Sequence, residues 1–422
     1  MNILYLAHRI PFPPDKGDKM RSFRQIEHLA KAHRVYCACF VDRAADTRHV
    51  EHLATYCEEI AAIRLRPASA ALHGVAGLLC GGTITGSYYC RAAMRSLLQR
   101  WSRRRHFDAV VAFSSGMAPY ALDIPAPRRV LDLCDLDSRK WKDYAAASDV
   151  LVAPVFRAEG RRLAERERSW INAFDATMII TEMEAEPLQG KVDARKLHVV
   201  GNGVTLPPSP TTRRRTPQTA HAPPTVGFVG TMNYRPNVDA VCWFAKECWP
   251  IIRGEHPTAV FRIIGRWPTR AIRALGTQDG VEVIGEVDDI HAELRRLDVS
   301  VAPMRIARGL QNKVLEAMSA RKPVVLTSVP AAAIGARHER ECLVADSPVD
   351  IAAAAVRLLQ EPALRARLGR TARRFVACRY QWDEALRRFE WIVTGVKARQ
   401  ATRSTTDRPH TAAARPLTAG AL

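Results

Sequence analysis

The stretch that most constrains this chain runs from Arg308 to Leu326: Arg-Gly-Leu-Gln-Asn-Lys-Val-Leu-Glu-Ala-Met-Ser-Ala-Arg-Lys-Pro-Val-Val-Leu. A short apolar run, Val299–Ala302, leads into it, and Pro303 closes that run. The pattern predicts a strand, a tight turn at Gly309 and a helix that begins near Gln311. Val314, Leu315 and Met318 recur at helical spacing, so that one face packs inward. Arg321 and Lys322 suit a helix C-terminus, and Pro323 stops the helix before the strand Val324–Leu326. A glycine turn ahead of a helix presents free amides and the positive end of the dipole, which is a receptor for phosphate. Lys313 in the first turn adds a mobile cation. Glu316, three residues on, offers a carboxylate that accepts hydrogen bonds from sugar hydroxyls. On this stretch alone, a surface Lys313–Glu316 ion pair on an ordinary crossover helix is an equal alternative.

The chain has 422 residues, more than one core accommodates, so two domains are expected. Strand-like runs lie at Asn2–Ala7, Arg34–Val41, Ala62–Leu65, Asp108–Phe113, Arg128–Leu133, Ala176–Thr181 and Leu197–Val200, with helical segments such as Met20–Ala32 and Val155–Ala173 between them. A second series follows at Thr225–Gly230, Ala259–Gly265, Val281–Ile284, Val299–Ala302, Pro323–Leu326 and Cys342–Ala345. Alternation of this kind predicts α/β architecture with open, mostly parallel sheets, which bind ligands at the carboxyl ends of their strands. The expected organisation is a first domain over 1–205, a Pro-rich linker over 206–224 that includes Arg213–Arg215, and a second domain over 225–378. A last helix over 379–395 and a disordered tail over 396–422 complete it. Val349–Gly395 reads as helical throughout.

Ten cysteines are scattered without a Cys-x-x-Cys, which suggests neither a disulfide framework nor a zinc site. The N-terminus reads as a first strand rather than a signal peptide, and cytoplasmic, reduced thiols are expected. The formal charge of +20 implies an anionic partner: nucleic acid, an acidic membrane surface or a phosphorylated substrate.

Two loops of the first domain carry candidate chemistry. After the first strand comes His8-Arg9-Ile10-Pro11-Phe12-Pro13-Pro14-Asp15-Lys16-Gly17, leading to a helix with Arg21 and Arg24. This loop can approach a diphosphate from the side opposite Lys313, or be an ordinary surface connection. After the fifth, Asp132-Leu133-Cys134-Asp135-Leu136-Asp137 lacks a third metal ligand. Asp135 and Asp137 are instead read as acceptor-binding or base candidates, or as a helix N-cap.

Several blocks in order resemble the retaining glycosyltransferases of the family-four superfamily, and more narrowly the sugar transferases that accompany PEP-CTERM/exosortase exopolysaccharide clusters. They are Pro-Pro-Asp-Lys-Gly-Asp-Lys-Met-Arg near the start, Phe113-Ser114-Ser115-Gly116-Met117-Ala118-Pro119-Tyr120, Asp135-Leu136-Asp137-Ser138-Arg139-Lys140-Trp141, Gly230-Thr231-Met232-Asn233-Tyr234-Arg235-Pro236-Asn237 and Gly309-Leu310-Gln311-Asn312-Lys313-Val314-Leu315-Glu316-Ala317-Met318. The resemblance covers all but the tail. It implies a GT-B fold, two Rossmann-like domains facing a central cleft, with the C-terminal helix returning to the first. It implies that Glu316, the second Glu of an E-x7-E motif, binds the ribose. Gly309, Leu310, Gln311 and Asn312 would contact phosphate and sugar through their amides, and Gly17 would face the diphosphate from the first domain. Gly230 and Thr231 would border the donor, and Gly285 to Asp288 would lie near the base.

Three departures stand out. Arg308 occupies the place of the first Glu of that motif. Met232 and Asn237 stand in the region where an Arg and a Lys normally follow the second domain's first strand, and Lys313 is a candidate to replace that charge. Ser114-Ser115-Gly116 replaces a histidine beyond the fourth strand.

The expected reaction is transfer of a sugar, with retention, from a nucleotide diphosphate to a glycan or polyprenyl-diphosphate-linked acceptor. Lys313, Arg308 and Asp135 are the catalytic candidates. Neither metal nor cofactor is expected beyond the nucleotide-sugar donor, since a cationic cradle stabilises the departing diphosphate. Rival readings are an epimerase of the same fold, which Arg308 argues against, and a basic nucleic-acid binder, for which there is no recognisable module. The basic excess is expected to serve an anionic membrane surface through Met94–Arg105. There Met94, Leu97, Leu98 and Trp101 would form an apolar stripe bordered by Arg95 and Arg103–Arg105, unless the stripe packs on the sheet.

Overall fold

The computed structural model describes residues 1–146, 148–207, 223–307 and 309–395. Arg308, most of the expected linker, including Arg213–Arg215, and the expected tail lie outside the described residues.

The first domain is built on β1 (Asn2–Ala7), β2 (Arg34–Val41), β3 (Glu59–Arg64), β4 (Ala109–Phe113), β5 (Arg128–Cys134), β6 (Ala176–Ile179) and β7 (Leu197–Val199). They form one sheet in the order β3-β2-β1-β4-β5-β6-β7 with parallel pairing throughout. Its inner strands are almost uniformly apolar because helices cover both faces. Leu4 and Leu6 of β1 enter one core, and Ile3 and Tyr5 enter the other. The second domain holds β8 (Thr225–Val229), β9 (Val260–Ile264), β10 (Val281–Gly285), β11 (Val299–Ala302), β12 (Val324–Leu326) and β13 (Leu343–Val344), in the order β10-β9-β8-β11-β12-β13. In each sheet the order reverses once, between β1 and β4 and between β8 and β11. The connecting loops diverge at those two points and leave a crevice beyond the strand ends.

The C-terminal segment is helical in three pieces, Pro348–Gln360, Pro362–Arg379 and Trp382–Thr394, the last lying within the 379–395 segment expected as a separate helix. Pro362 has no N–H to donate and begins a new helix. Trp382–Thr394 packs Leu386, Phe389, Ile392 and Val393 into the Ile3/Tyr5 core of the first domain. The Arg128 guanidinium donates to Ile392 O at 2.6 Å, and the Glu390 carboxylate meets His28 at 2.8 Å and His33 at 3.1 Å.

The membrane reading of Met94–Arg105 is corrected. Helix Ala92–Arg104 buries Met94, Leu98 and Trp101 in the core with Tyr36 and Phe107. Arg105 pairs with Glu59, its guanidinium 4.7 Å from the Tyr36 ring centroid. The apolar stripe covers the sheet, whose face needs covering more than a lipid needs an anchor. No described helix is long and apolar enough to cross a membrane.

Candidate active site

The Gly309 turn and the Asn312–Ser319 helix follow β11 at the switch point of the second sheet. Val314, Leu315 and Met318 are buried, which fixes the face that Lys313 and Glu316 present. Gly309 has φ +58°, a conformation that side chains disfavour. A Cβ there would also collide with the Asp135 carboxylate of the first domain, so this turn and the loop after β5 are packed directly against each other. Gly17 approaches from the same side: a Cβ on it would lie 3.1 Å from Asn312 Nδ2. Asn202 Nδ2, beyond β7, donates to Asn312 Oδ1 at 3.3 Å. Gly17, Asp135, Gly309 and Asn312 are therefore brought together across the cleft.

Lys313 does not form the alternative reading's ion pair with Glu316. Its ammonium donates to Asn237 Oδ1 at 2.6 Å and lies 5.1 Å from the centroid of Phe228 on β8. It thus reaches the end of the second domain's first strand, where the sequence lacks the usual cations. Burial pushes Lys313 down to about 7 and Glu316 up to about 7, the latter opposed by the lysine charge. A cation so weakly stabilised by its surroundings is poised to be completed by an anion.

Gly230 and Thr231 follow β8 in the floor of the cleft. Gly230 N donates to Ile264 O at 3.0 Å and Thr231 O accepts from Asn237 Nδ2 at 3.0 Å. Gly265, after β9, is forced to be glycine because a Cβ would strike Gly230 O. Its amide donates to Gly285 O at 2.7 Å. Three adjacent strand ends thus finish in glycine, leaving a flat main-chain surface. Asp288 is exposed beyond β10, the edge strand, two strands away from β8.

In the first domain, His8, Ser115 and Asp135 lie beyond β1, β4 and β5, which neighbour one another in the sheet. The His8 ring stacks on Phe113 at 5.8 Å and meets Tyr89 edge-on at 5.7 Å, with Nε2 3.4 Å from Asp18. Ser115 Oγ donates to Asp137, and Lys140 lies 3.1 Å from Asp137 and 3.5 Å from Asp135. Burial disfavours the Asp137 carboxylate, but Lys140 and Ser115 outweigh it and hold its pKa low. Lys140 is likewise held charged by Asp137 and Asp135 against its burial. Asp135 Oδ1 and His8 Nδ1 are buried without a hydrogen-bond partner. Such atoms in a crevice await a ligand or a water.

Arg21 and Arg24, on the helix that follows the loop after β1, are engaged within the first domain. Arg21 is buried, with Nε 2.7 Å from Asp132 and Nη1 donating to Val200 O and Asn202 Oδ1. Arg24 pairs with Glu27. No sequence argument pointed to Lys140 and Ser115 as partners of the Asp135/Asp137 pair, or to Trp267. Trp267, at φ +53°, has Arg43 4.2 Å and Lys16 5.2 Å from its ring centroid, while Arg266 reaches Asp15 at 2.6 Å. These contacts tie the loop after β1 to the loop after β9. The only trace in the sequence is an aromatic residue next to a strand-end glycine.

Comparison with known proteins bears on this site. Residues 223–361 match the family described as glycosyl transferases group 1. A Xenopus tropicalis protein, glycosyltransferase 1 domain-containing protein 1, is 28% identical over 107 residues, 25% of this chain, and the match spans 31% of that protein's length. Among solved structures, Alr3699/HepE of Anabaena in complex with UDP superposes with a TM-score of 0.62 at 14% identity, over 94% of this chain and all of that one. WaaG, a glycosyltransferase involved in lipopolysaccharide biosynthesis, gives 0.63 at 16% over 93% and all. Sucrose-phosphate synthase of Thermosynechococcus elongatus gives 0.65 at 15% over 93% and 98%. The chain therefore has the two-domain GT-B fold of these proteins, and its residues 223–361 are similar to the glycosyl transferases group 1 family.

Proposed function

We propose that this protein transfers a sugar from a nucleotide diphosphate to a hydroxyl of a glycan, with retention of anomeric configuration. One observation carries the reading: the half-buried Lys313 ammonium sits beside Asn237 at the end of β8, with the Gly309–Asn312 turn and Gly17 on the other side. That pocket of amides and one underpaired cation suits the diphosphate of a donor. Glu316 lies one turn from Lys313, where a carboxylate accepts hydrogen bonds from ribose hydroxyls. The bond between the donor's anomeric carbon and the diphosphate oxygen breaks, and a bond to the acceptor oxygen forms on the same face. The acceptor's proton passes to the departing phosphate oxygen. Lys313 and the turn amides stabilise the charge that develops there, which is electrostatic catalysis. Asp135 and Asp137, held by Lys140, face the acceptor. Uridine diphosphate is the first donor base to try, since a structural neighbour is solved with it. The resemblance to exosortase-associated transferases adds that the acceptor is lipid-linked and belongs to exopolysaccharide synthesis.

The test is a melting-point screen against nucleotide-sugars, followed by nucleotide diphosphate release with and without a glycan acceptor and NMR of the product's anomeric configuration. A rise in melting point with one donor and acceptor-dependent release with retained configuration are expected. Release at the same rate without acceptor, or an inverted product, overturns the reading.

A further inference from the structure

The helix Pro67–Leu79 is built with its small residues inward. Ala70 and Gly74 are buried, and a Cβ on Gly74 would come within 2.9 Å of Ile84, while one on Gly77 would strike Ser87. Positions 70, 74 and 77 therefore form the face that packs on the Ile84–Tyr89 helix. Leu72, Val75 and Leu79, at i, i+3 and i+7, are left outside and are 72%, 55% and 83% exposed. A second apolar segment lies at the start of the Ala153–Ala173 helix, where Val150 and Leu151 are 85% and 90% exposed and Val152 and Val155 each 43%. The helices carrying the two segments are joined. The Arg162 guanidinium donates to Leu78 O and Gly82 O, and the Glu159 carboxylate accepts from the amides of Ile84 and Thr85. Of the twelve exposed large hydrophobic side chains among the described residues, seven fall in these two segments, a concentration that single scattered residues do not give.

The charge around the two segments is predominantly basic. Residues 64–80 and 149–165 hold Arg64, Arg66, Arg157, Arg161 and Arg162 against Asp149, Glu159 and Glu165, and Glu159 is buried on its amide donors. A second copy of the chain would bring the same arginines against each other and add a second net charge of +20, which opposes a self-complementary interface. An anionic bilayer satisfies both features at once, taking the apolar side chains below its headgroups and the arginines at them.

We infer that this face of the first domain docks on an anionic lipid surface. It replaces the buried Ala92–Arg104 helix as the membrane contact. It also lies close to the acceptor side of the cleft, because the Ile84–Tyr89 helix that carries the patch's packed face also places Tyr89 against His8. A lipid-borne acceptor would arrive at that edge. The inference stands apart from the sugar-transfer reading, since vesicle binding needs neither donor nor acceptor.

The experiment is co-sedimentation of the full chain with vesicles of phosphatidylcholine, alone or mixed with phosphatidylglycerol, at low and high salt. Two double variants, Leu72→Ser with Leu79→Ser and Val150→Ser with Leu151→Ser, are compared with Arg157→Gln plus Arg161→Gln. The wild type is expected to bind the anionic vesicles selectively. Each variant should bind them roughly tenfold more weakly, with an unchanged melting point and unchanged donor turnover on a water-soluble acceptor. No binding, equal binding to both vesicle types, or full binding by all three variants overturns the inference. So does a wild-type dimer, seen by light scattering, that the serine variants abolish.

Discussion

Replacing Lys313 by Met is expected to make the protein more stable and far less active. Folding carries the lysine from an ordinary value of 10.5 to about 7 through burial, a difference of roughly 3.5 units. At 1.36 kcal/mol per unit this corresponds to about 5 kcal/mol of lost stability once pH is below the folded value. Part of the side chain still meets solvent, so about 2 kcal/mol is the working figure. Methionine keeps the apolar contact with Phe228 and removes the desolvated charge, so the variant's melting point should rise by several degrees. Turnover should fall by roughly a hundredfold, the loss of about 3 kcal/mol of diphosphate stabilisation. The pH dependence has a definite sign. Between about 7 and 10.5 the unfolded wild-type chain holds a proton that the folded chain has released, so wild-type stability rises with pH in that window. The variant gains nothing there. Its Glu316, freed of the lysine charge that opposes its upward shift, loses more stability as pH climbs through and above the carboxylate range. The variant's advantage should therefore shrink as pH rises from 7 to 10, measured by calorimetry alongside steady-state turnover. A variant that is both less stable at neutral pH and fully active would refute the argument.

Glu316→Gln should weaken nucleotide diphosphate binding about tenfold by titration calorimetry, the value of one charge-assisted hydrogen bond, while the melting point at neutral pH should not fall, because the variant removes a carboxylate that burial disfavours. Gly309→Ala should lower the melting point, because it combines a strained φ of +58° with a collision against Asp135. Adding Asp135→Ala should recover the steric part, and strictly additive losses would mean that the two loops do not touch. Arg21→Met should cost about 3–5 kcal/mol in chemical denaturation, since it leaves Asp132 charged and buried without its partner. The double change Arg21→Met with Asp132→Leu should cost less than that single change.

Alternation of short apolar runs with amphipathic segments was enough to read two α/β domains, because parallel sheets covered on both faces need nearly continuous apolar strands. The turn and helix at Gly309–Met318 were legible for a related reason: glycine, helical spacing and terminal cations are local properties, set within about a dozen residues. Lys313 was legible as a candidate, but not its partner. Asn237 lies 76 residues away in sequence and meets Lys313 only because β8 and β11 are neighbours in the sheet. Arg21 shows the same limit: its residue type and helical position say nothing of a buried partner, and the fold pairs it with Asp132, 111 residues distant. The helix Ala92–Arg104 carries the stronger amphipathic signal in sequence, yet it is the apolar Pro67–Leu79 helix that leaves large side chains outside. Which of them faces water depends on which has small residues that a neighbouring helix can approach closely, and Gly74 and Gly77 decide it. Local chemistry is written in consecutive residues. Burial is a property of what else the chain brings to the same place, so tertiary structure alone determined which charges are paired, which apolar faces are covered and how the two halves of the cleft meet.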